Sequence, residues 1–270
     1  MTAGVSLIAT MDLLVKFVSP DISIAQIAWG RFSVQLVILL ALAWPTGPLA
    51  FLRAKLRGMH LLRAVILLTG NLAFIAALRY MPLVQANLIG FLSPLLLTAL
   101  AYPVLGEPVG PRRAIAVAVG FAGVLVVLRP GGELFGWEAL LPLTMAVCAA
   151  SYHIMTPIVR RVEDPAISLY YLSIIAVVAT TAMMPWTWTP MTGMQWALLG
   201  AIGMLSVAGH ILMIRGLGSA PASTLAPYFY CHLVWALIYD AVFFGVLPGG
   251  ATLLGAALVV GSGLYVYRVR

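Results

Sequence analysis

The chain has 270 residues, of which 63% are hydrophobic and 9% charged, and its mean hydropathy is +1.06. A soluble domain needs roughly a quarter of its residues charged, so this composition excludes a soluble protein and predicts an integral membrane protein in a lipid bilayer. Cys148 and Cys231 lie in apolar runs, which excludes a disulfide framework and a cysteine metal site. The net charge of +7 forms no basic stripe, so nucleic acid is not an expected partner. No cofactor motif occurs.

Apolar runs of about 20 residues, the length that crosses a bilayer, recur along the whole chain. Ten predicted spans cover residues 2–18, 23–44, 59–80, 82–104, 111–128, 136–159, 166–185, 194–214, 219–243 and 251–267. Short connections rich in Pro and Gly separate them, as expected of turns. Residues 1–18 lack the basic start and small-residue cleavage site of a signal peptide, so we expect them to form span 1.

Residues 82–107 have a diverged copy 139 positions later, in which Pro82 falls on Pro221 and Gly106 on Gly245. Because spans and breaks recur in step, the sequence predicts a tandem duplication with halves 1–130 and 131–270. Five spans per half is an odd number, so the second half is expected to cross the membrane inverted.

The loop charges favour the same topology. Eleven Lys and Arg residues, Arg63 among them, lie in or near one set of loops, and three lie in or near the other. An excess of positive charge marks the cytoplasmic side, and an even number of spans then places both termini in the cytoplasm.

Several motifs resemble those of the drug/metabolite transporter superfamily, EamA type, over essentially the whole chain. They are Trp29-Gly30-Arg31-Phe32 in span 2, Gly106-Glu107 after span 4, and the Ala/Gly-rich span 5. The resemblance implies a secondary transporter of the bacterial inner membrane, in which inverted halves give inward-open and outward-open states. The second half carries Gly245-Val246 where Gly-Glu would be expected, so the halves are not equivalent.

One branch of that superfamily is a closer match than the others. Met11-Asp12 with Lys16, and Gln26 before the Trp29 motif, look like a branch assigned to metabolites such as S-adenosylmethionine or riboflavin. An amino-acid-exporting branch fits less closely and is kept as the alternative.

Charged side chains inside the spans are the first candidates for the binding site, because each is costly in lipid. Asp12 lies in the middle of span 1, and Lys16 is one turn further on the same face. Lys16 either pairs with Asp12 or extends to the outer interface. Arg31 in span 2 either pairs with Asp12 or binds an anionic group of the substrate.

Polar and aromatic residues extend this candidate site. Asn71 and His210 are equivalent in the two halves, as are Ser93 and His232, which predicts a site near the symmetry axis; simple interhelical hydrogen bonds are the alternative. The aromatic residues of span 9 line the cavity or only pack, and Asp240 near its end is expected to be solvated. The candidate substrate-binding set is Asp12, Lys16, Arg31, Asn71, Gln85, Ser93, His153, His210, Tyr228, Tyr230, His232 and Trp235.

Small residues in spans 5 and 10 predict close helix packing, and the resemblance implies that these spans lie outside the cavity. The pairs are Ala116 with Gly120 and Ala257 with Gly261.

The candidate set predicts transport of a small metabolite with both charge signs and a flat or apolar portion. The proton is the candidate coupling ion, and monomer and homodimer both stay open. An intramembrane aspartyl protease is the alternative from another class, since Tyr239-Asp240 is half of its signature. Its second half requires Asp where Gly216-Leu217-Gly218 is followed by Ser219. We therefore predict no enzyme activity.

Overall fold

The computed structural model describes residues 2–43, 54–106, 110–128, 136–164, 167–219 and 229–268. Within these ranges the chain is α-helical and contains no β-strand. The helices are α1 Thr2–Val18, α2 Ile24–Ala43, α3 Arg57–Tyr80, α4 Leu83–Gly90, α5 Leu92–Leu105, α6 Pro111–Leu128, α7 Leu140–Ile154, α8 Thr156–Arg160, α9 Ile167–Thr187, α10 Gly193–Ser219, α11 Cys231–Phe244 and α12 Gly250–Arg268. A short 3-10 turn, Trp137–Ala139, precedes α7.

Two predicted spans are each divided into two consecutive helices. Span 4 divides into α4 and α5 at Phe91, and span 6 divides into α7 and α8 at Met155. Pro94 and Pro157 follow these breaks, and each removes the backbone hydrogen bond to the carbonyl four residues earlier. With each divided span counted once, α1–α12 follow the predicted spans in order.

Most of these elements suit a bilayer by length and composition. In the described ranges, six helical stretches are long and apolar enough to cross it: Ile24–Leu42, Arg57–Tyr80, Leu83–Leu100, Trp137–Arg160, Ile167–Thr187 and Gly193–Met213. Shorter apolar helices cover Ala114–Leu128, Cys231–Phe244 and Gly250–Tyr265, and α1 has 17 residues. The predicted all-α integral membrane fold is confirmed.

The helices pair in a symmetric scheme. Spans 1 and 8 pack together, as do 3 and 6, 2 and 7, 4 and 9, and 5 and 10. Exchanging each span with the one five positions away leaves this scheme unchanged, which is the pattern expected of two related five-helix units. Their inversion in the membrane and the division at residue 130, which lies outside the described residues, stay predictions.

The repeat also shows in the backbone at the ends of spans 4 and 9. Gly106 and Gly245, which the register makes equivalent, have positive φ angles of 71° and 65°. A left-handed residue is a common helix terminator and favours glycine. Glu107 and Pro221 of the same register lie outside the described residues.

Spans 5 and 10 pack through glycines, though not all those predicted. A Cβ on Gly123 would lie 3.0 Å from the carbonyl oxygen of Gly255, and one on Gly120 would lie 2.7 Å from Ser262 Oγ. Gly261 has no atom within 4 Å of that position, and Ala257 is exposed. Close approach between α6 and α12 is therefore made by Gly120, Gly123 and Gly255.

Candidate functional site

Asp12 contacts a histidine from the other half of the chain. Its Oδ2 lies 3.0 Å from His232 Nε2, and the two side chains are 7% and 15% exposed. Of the alternatives that the sequence leaves open, ion pairing of Asp12 with Lys16 or Arg31 is not observed among the described residues, and Arg31 lies only within electrostatic reach. Sequence spacing suggested Lys16, but α1 packs against α11, and that packing brings His232 to the carboxylate.

Arg31 is held by neutral groups on two helices. Its Nη1 donates to Asn71 Oδ1 at 2.9 Å, and its Nε donates to Ser206 Oγ at 3.1 Å. No carboxylate among the described residues forms an ion pair with Arg31, although Asp12 lies within electrostatic reach. Two of the three guanidinium nitrogens are thus oriented by neutral partners while the charge stays available for an anion.

Ser206 connects this arginine to a longer polar chain that the sequence did not reveal. The carbonyl oxygen of Ser206 lies 2.7 Å from His210 Nδ1, and its hydroxyl donates to Gln35 Oε1 at 3.5 Å. Gln35 Nε2 donates in turn to Ser173 Oγ at 2.9 Å. Gln35 stands one helical turn after Arg31, and that i,i+4 spacing could have identified it.

Aromatic rings border the Asp12–His232 pair at the break between α4 and α5. The ring of Phe91 lies 5.3 Å from that of Tyr230 and 6.5 Å from that of His232, centre to centre. Trp235 lies further along α11, where it stacks on Tyr239 at 5.5 Å. Tyr228 lies outside the described residues. Phe91 was not among the predicted residues, although Pro94, three residues later, is a sequence signal that span 4 breaks near it.

Lys16 belongs to a separate group, the Lys16–Asp240 cluster, formed by Lys16, Met81, Leu83, Val84 and Asp240. Lys16 Nζ lies 3.8 Å from Asp240 Oδ1 and donates to the Met81 carbonyl at 2.8 Å. The backbone N–H groups of Leu83 and Val84 donate to the Asp240 carboxylate at 3.0 and 2.8 Å. Asp240 is 1% exposed, so the expectation that it is solvated is wrong. A carboxylate compensates the unpaired N–H groups and positive dipole at the start of α4.

A second carboxylate, that of Glu163, caps the start of α3, at the other end of α3 from the Lys16–Asp240 cluster. Glu163 accepts hydrogen bonds from the backbone N–H groups of Lys55 and Leu56, at 2.9 and 2.8 Å, and lies 3.0 Å from His60 Nε2. Partial burial opposes ionisation of Glu163, but these hydrogen bonds outweigh it and hold its pKa below the usual 4.5. His60 Nδ1 lies 2.8 Å from Ser168 Oγ.

The remaining candidates are not joined to these contacts. Gln85 Oε1 is buried and has no hydrogen-bond partner among the described atoms. Ser93 is half-buried. His153 is exposed, and its ring meets that of Tyr152 edge to face at 5.5 Å. The structure therefore brings together five of the candidates, which with Ser206 form the central polar cluster: Asp12, Arg31, Asn71, Ser206, His210 and His232.

The model of the EamA-like transporter family matches residues 1–129 and again residues 136–268. The chain belongs to the EamA-like transporter family. It is a multi-pass membrane transporter and not an enzyme. The aspartates that a protease would need side by side are held apart, Asp12 by His232 and Asp240 at the start of α4.

Several named relatives match this EamA-like transporter over nearly its whole length. It is 29% identical to a riboflavin transporter of Rhizobium johnstonii over 97% of the chain and 85% of the relative. It is 26% identical to an S-adenosylmethionine uptake transporter of Rickettsia felis over 94% and 86%. A crystal structure with 19% identity covers 97% of the chain and 93% of its own, with a TM-score of 0.67, which shows the fold alone.

The central polar cluster gives this EamA-like transporter both charge signs within one group of contacting helices. Asp12 offers a carboxylate and Arg31 a guanidinium, and Phe91 and Tyr230 offer ring faces beside them. Among the described residues, no group of three or more His, Cys, Asp or Glu is placed to hold a metal ion. Recognition by ion pairing, hydrogen bonding and stacking is what these side chains can supply.

Proposed function

We propose that this EamA-like transporter is secondary-active and carries a small zwitterionic or cationic metabolite with a flat portion, of the S-adenosylmethionine or flavin type. The observation that supports this most is the uncompensated Arg31 beside the Asp12–His232 pair. A substrate carboxylate would bind the free N–H groups of Arg31, and a sulfonium or ammonium group would lie near Asp12. A flat ring system would stack against Phe91 and Tyr230.

Two relatives give the two candidate substrate types. Riboflavin is the substrate in the name of one relative and S-adenosylmethionine in that of another. The charge pair favours the S-adenosylmethionine type, because riboflavin carries no charge to match Arg31 and Asp12. The ring contacts and the unpaired oxygen of Gln85 suit either type.

We also infer that a proton exchanges at the Asp12–His232 pair. His232 Nε2 and Asp12 Oδ2 lie 3.0 Å apart and can share a proton, and the Asp12 carboxylate is the group a cationic substrate would approach. Entry of the substrate cation would displace His232 from Asp12, so a released proton would couple the two movements. Substrate-driven pH change inside dye-loaded liposomes measures this coupling, and substrate flux without any pH change would contradict it.

The membrane orientation belongs to the same proposal. We propose that both termini lie in the cytoplasm and that halves 1–130 and 131–270 are inverted relative to each other in an inner membrane. The positive-inside count supports this: removing the buried Arg63 from the eleven leaves ten against three. Labelling of single cysteines introduced at exposed Asp21 and Arg160 tests it, since the two should react from opposite sides.

Flux into proteoliposomes tests the substrate proposal. Purified protein should accumulate radiolabelled S-adenosylmethionine or riboflavin, and D12N should lower the rate for the cationic substrate about 10- to 100-fold. That range corresponds to the loss of one charged hydrogen bond, about 1.5–3 kcal/mol. The exposed Asp21 supplies the control D21N, which should transport like wild type.

Three outcomes decide the role of Asp12. Wild-type rates in D12N would remove Asp12 from the mechanism. A collapse of folded yield in D12N would show that the Asp12–His232 pair is structural. Absence of flux for both compounds in the wild-type protein would contradict the proposed substrate class.

A further inference from the structure

Arg63 is a second buried guanidinium, and it lies outside the central polar cluster. It occupies the second turn of α3 and is 0% exposed, although its position near the end of a predicted span favours a solvated side chain. Its Nη2 donates to Thr156 Oγ1 at 3.0 Å, and its guanidinium carbon lies 4.1 Å from the centre of the Tyr152 ring. Its Nε and Nη1 are buried without a hydrogen-bond partner among the described atoms.

This guanidinium lacks the partner that its charge requires. Arginine stays protonated and offers five N–H donors, and an unpaired buried charge is strongly disfavoured. The ring of Tyr152 compensates only part of that cost. Arg63 forms no ion pair with a described carboxylate. Glu163, which lies between α8 and α9 and contacts the start of α3, is already bound by the backbone N–H groups of Lys55 and Leu56 and by His60.

Arg63 and the Arg31 site lie at two levels along one helix. Asn71, which orients Arg31, is eight residues after Arg63 in α3, a rise of about 12 Å along the helix axis. The exposed His153 ring lies against Tyr152 and within electrostatic reach of Arg63. Polar groups therefore lie at two levels of α3, Arg63 against Tyr152 and Thr156 and Asn71 against Arg31, turned about 80° from each other around the helix axis.

We propose that Arg63 is a second binding position for the carboxylate of the transported molecule. The carboxylate leaves Arg31 and is received by the unused N–H groups of Arg63 as the molecule moves toward the start of α3. This inference rests on the proposed function, because it takes the cargo to be a zwitterion. Ionised acceptors bind guanidinium N–H groups more strongly than neutral ones do, so a substrate without a carboxylate gains little there.

A matched pair of substrates separates this role from a structural one. S-adenosylmethionine and its decarboxylated analogue share the sulfonium, the amine and the ring, and differ in the carboxylate. In proteoliposomes, R63Q should lower kcat/KM for S-adenosylmethionine at least about tenfold and change that for the analogue less than about twofold. The exposed Arg57 in the first turn of the same helix supplies the control R57Q, which should leave both values unchanged.

Equal losses for both compounds would show that Arg63 only stabilises the fold, and unchanged rates would show that it has no role; either overturns the inference. If R63Q does not fold, R63K keeps the charge without the planar fork, and its preference for S-adenosylmethionine over the analogue should fall about threefold. An unchanged preference in R63K overturns the inference.

Two further outcomes keep the proposals apart. Wild-type protein that moves neither compound contradicts the proposed function, whatever R63Q does. Inorganic phosphate tests the other source of an anion. If phosphate raises the melting temperature of wild type but not of R63Q, while R63Q keeps its preference for S-adenosylmethionine, the site holds a free anion and the inference is overturned.

Discussion

Replacing Asp240 with asparagine tests whether its carboxylate holds the start of α4. The side chain is 1% exposed, accepts two backbone N–H groups and lies 3.8 Å from Lys16 Nζ. An asparagine of the same shape keeps one acceptor oxygen and loses the negative charge. The D240N variant should therefore lose one of the two backbone hydrogen bonds and leave Lys16 bound only to the Met81 carbonyl.

The expected magnitude follows from these contacts. A hydrogen bond to a charged group contributes about 1.5–3 kcal/mol, and removing one member of a buried ion pair costs about 3–5 kcal/mol. Because asparagine preserves part of the cap, we expect D240N to lower the free energy of unfolding by about 3 kcal/mol. For a chain of this size, that corresponds to a fall of about 6–12 °C in Tm.

Two internal reporters make the assay direct. Cys148 and Cys231 are unpaired and half-buried, so a thiol-reactive dye reports unfolding as detergent-solubilised protein is heated. The exposed Asp21 supplies the control D21N, which should melt within about 1 °C of wild type because surface changes rarely exceed about 0.5 kcal/mol. A double-mutant cycle with K16M should show coupling of at least about 1 kcal/mol. D240N melting like D21N would refute the role assigned to this cluster.

Further variants test the helix contacts that surround the site. The pKa of Glu163 is lowered in the folded protein, so its contribution to the free energy of unfolding should be fully present above pH 4.5 and lost as pH falls below that value. Between pH 6 and pH 3, about the range over which a carboxyl titrates, Tm should therefore drop more steeply in wild type than in E163Q. G120A should cost about 1–3 kcal/mol of unfolding free energy, since its Cβ would meet Leu95 Cδ1 of α5 and lie 2.7 Å from Ser262 Oγ of α12, whereas a Cβ in G261A has open space. Equal Tm values for these two variants would contradict the described packing of α6 against α5 and α12.

Hydropathy and the helix-breaking Pro and Gly residues are enough to predict the order of the spans, because a segment that crosses the bilayer is recognised from its own run of about 20 apolar residues. Gly106 and Gly245 were matched by register alone, and both adopt the left-handed conformation. Arg63 and Asp240 were misassigned for one physical reason. A charge within two turns of a predicted helix end is usually solvated, and only the neighbouring helices show that these two are buried.

The contacts between side chains in the central polar cluster could not be predicted from the sequence. Asp12 and His232 are 220 residues apart, and both were predicted as candidates without any sign that they meet. Ser206 was missed because one serine in an apolar span is more often bonded within its own helix. The i,i+4 rule makes a Lys16–Asp12 pair possible, but it describes neighbours on one helix and says nothing of a partner such as Asp240 on another.

Ligand binding to the purified protein tests the central claim most directly. We predict that S-adenosylmethionine at about 100 times Kd stabilises the wild-type transporter by about 2.7 kcal/mol, and that D12N and an R31Q variant each lose this shift while D21N keeps it. Stabilisation by phosphorylated sugars alone, or by uncharged ligands equally well in D12N, R31Q and wild type, would contradict a site built on the opposite charges of Asp12 and Arg31.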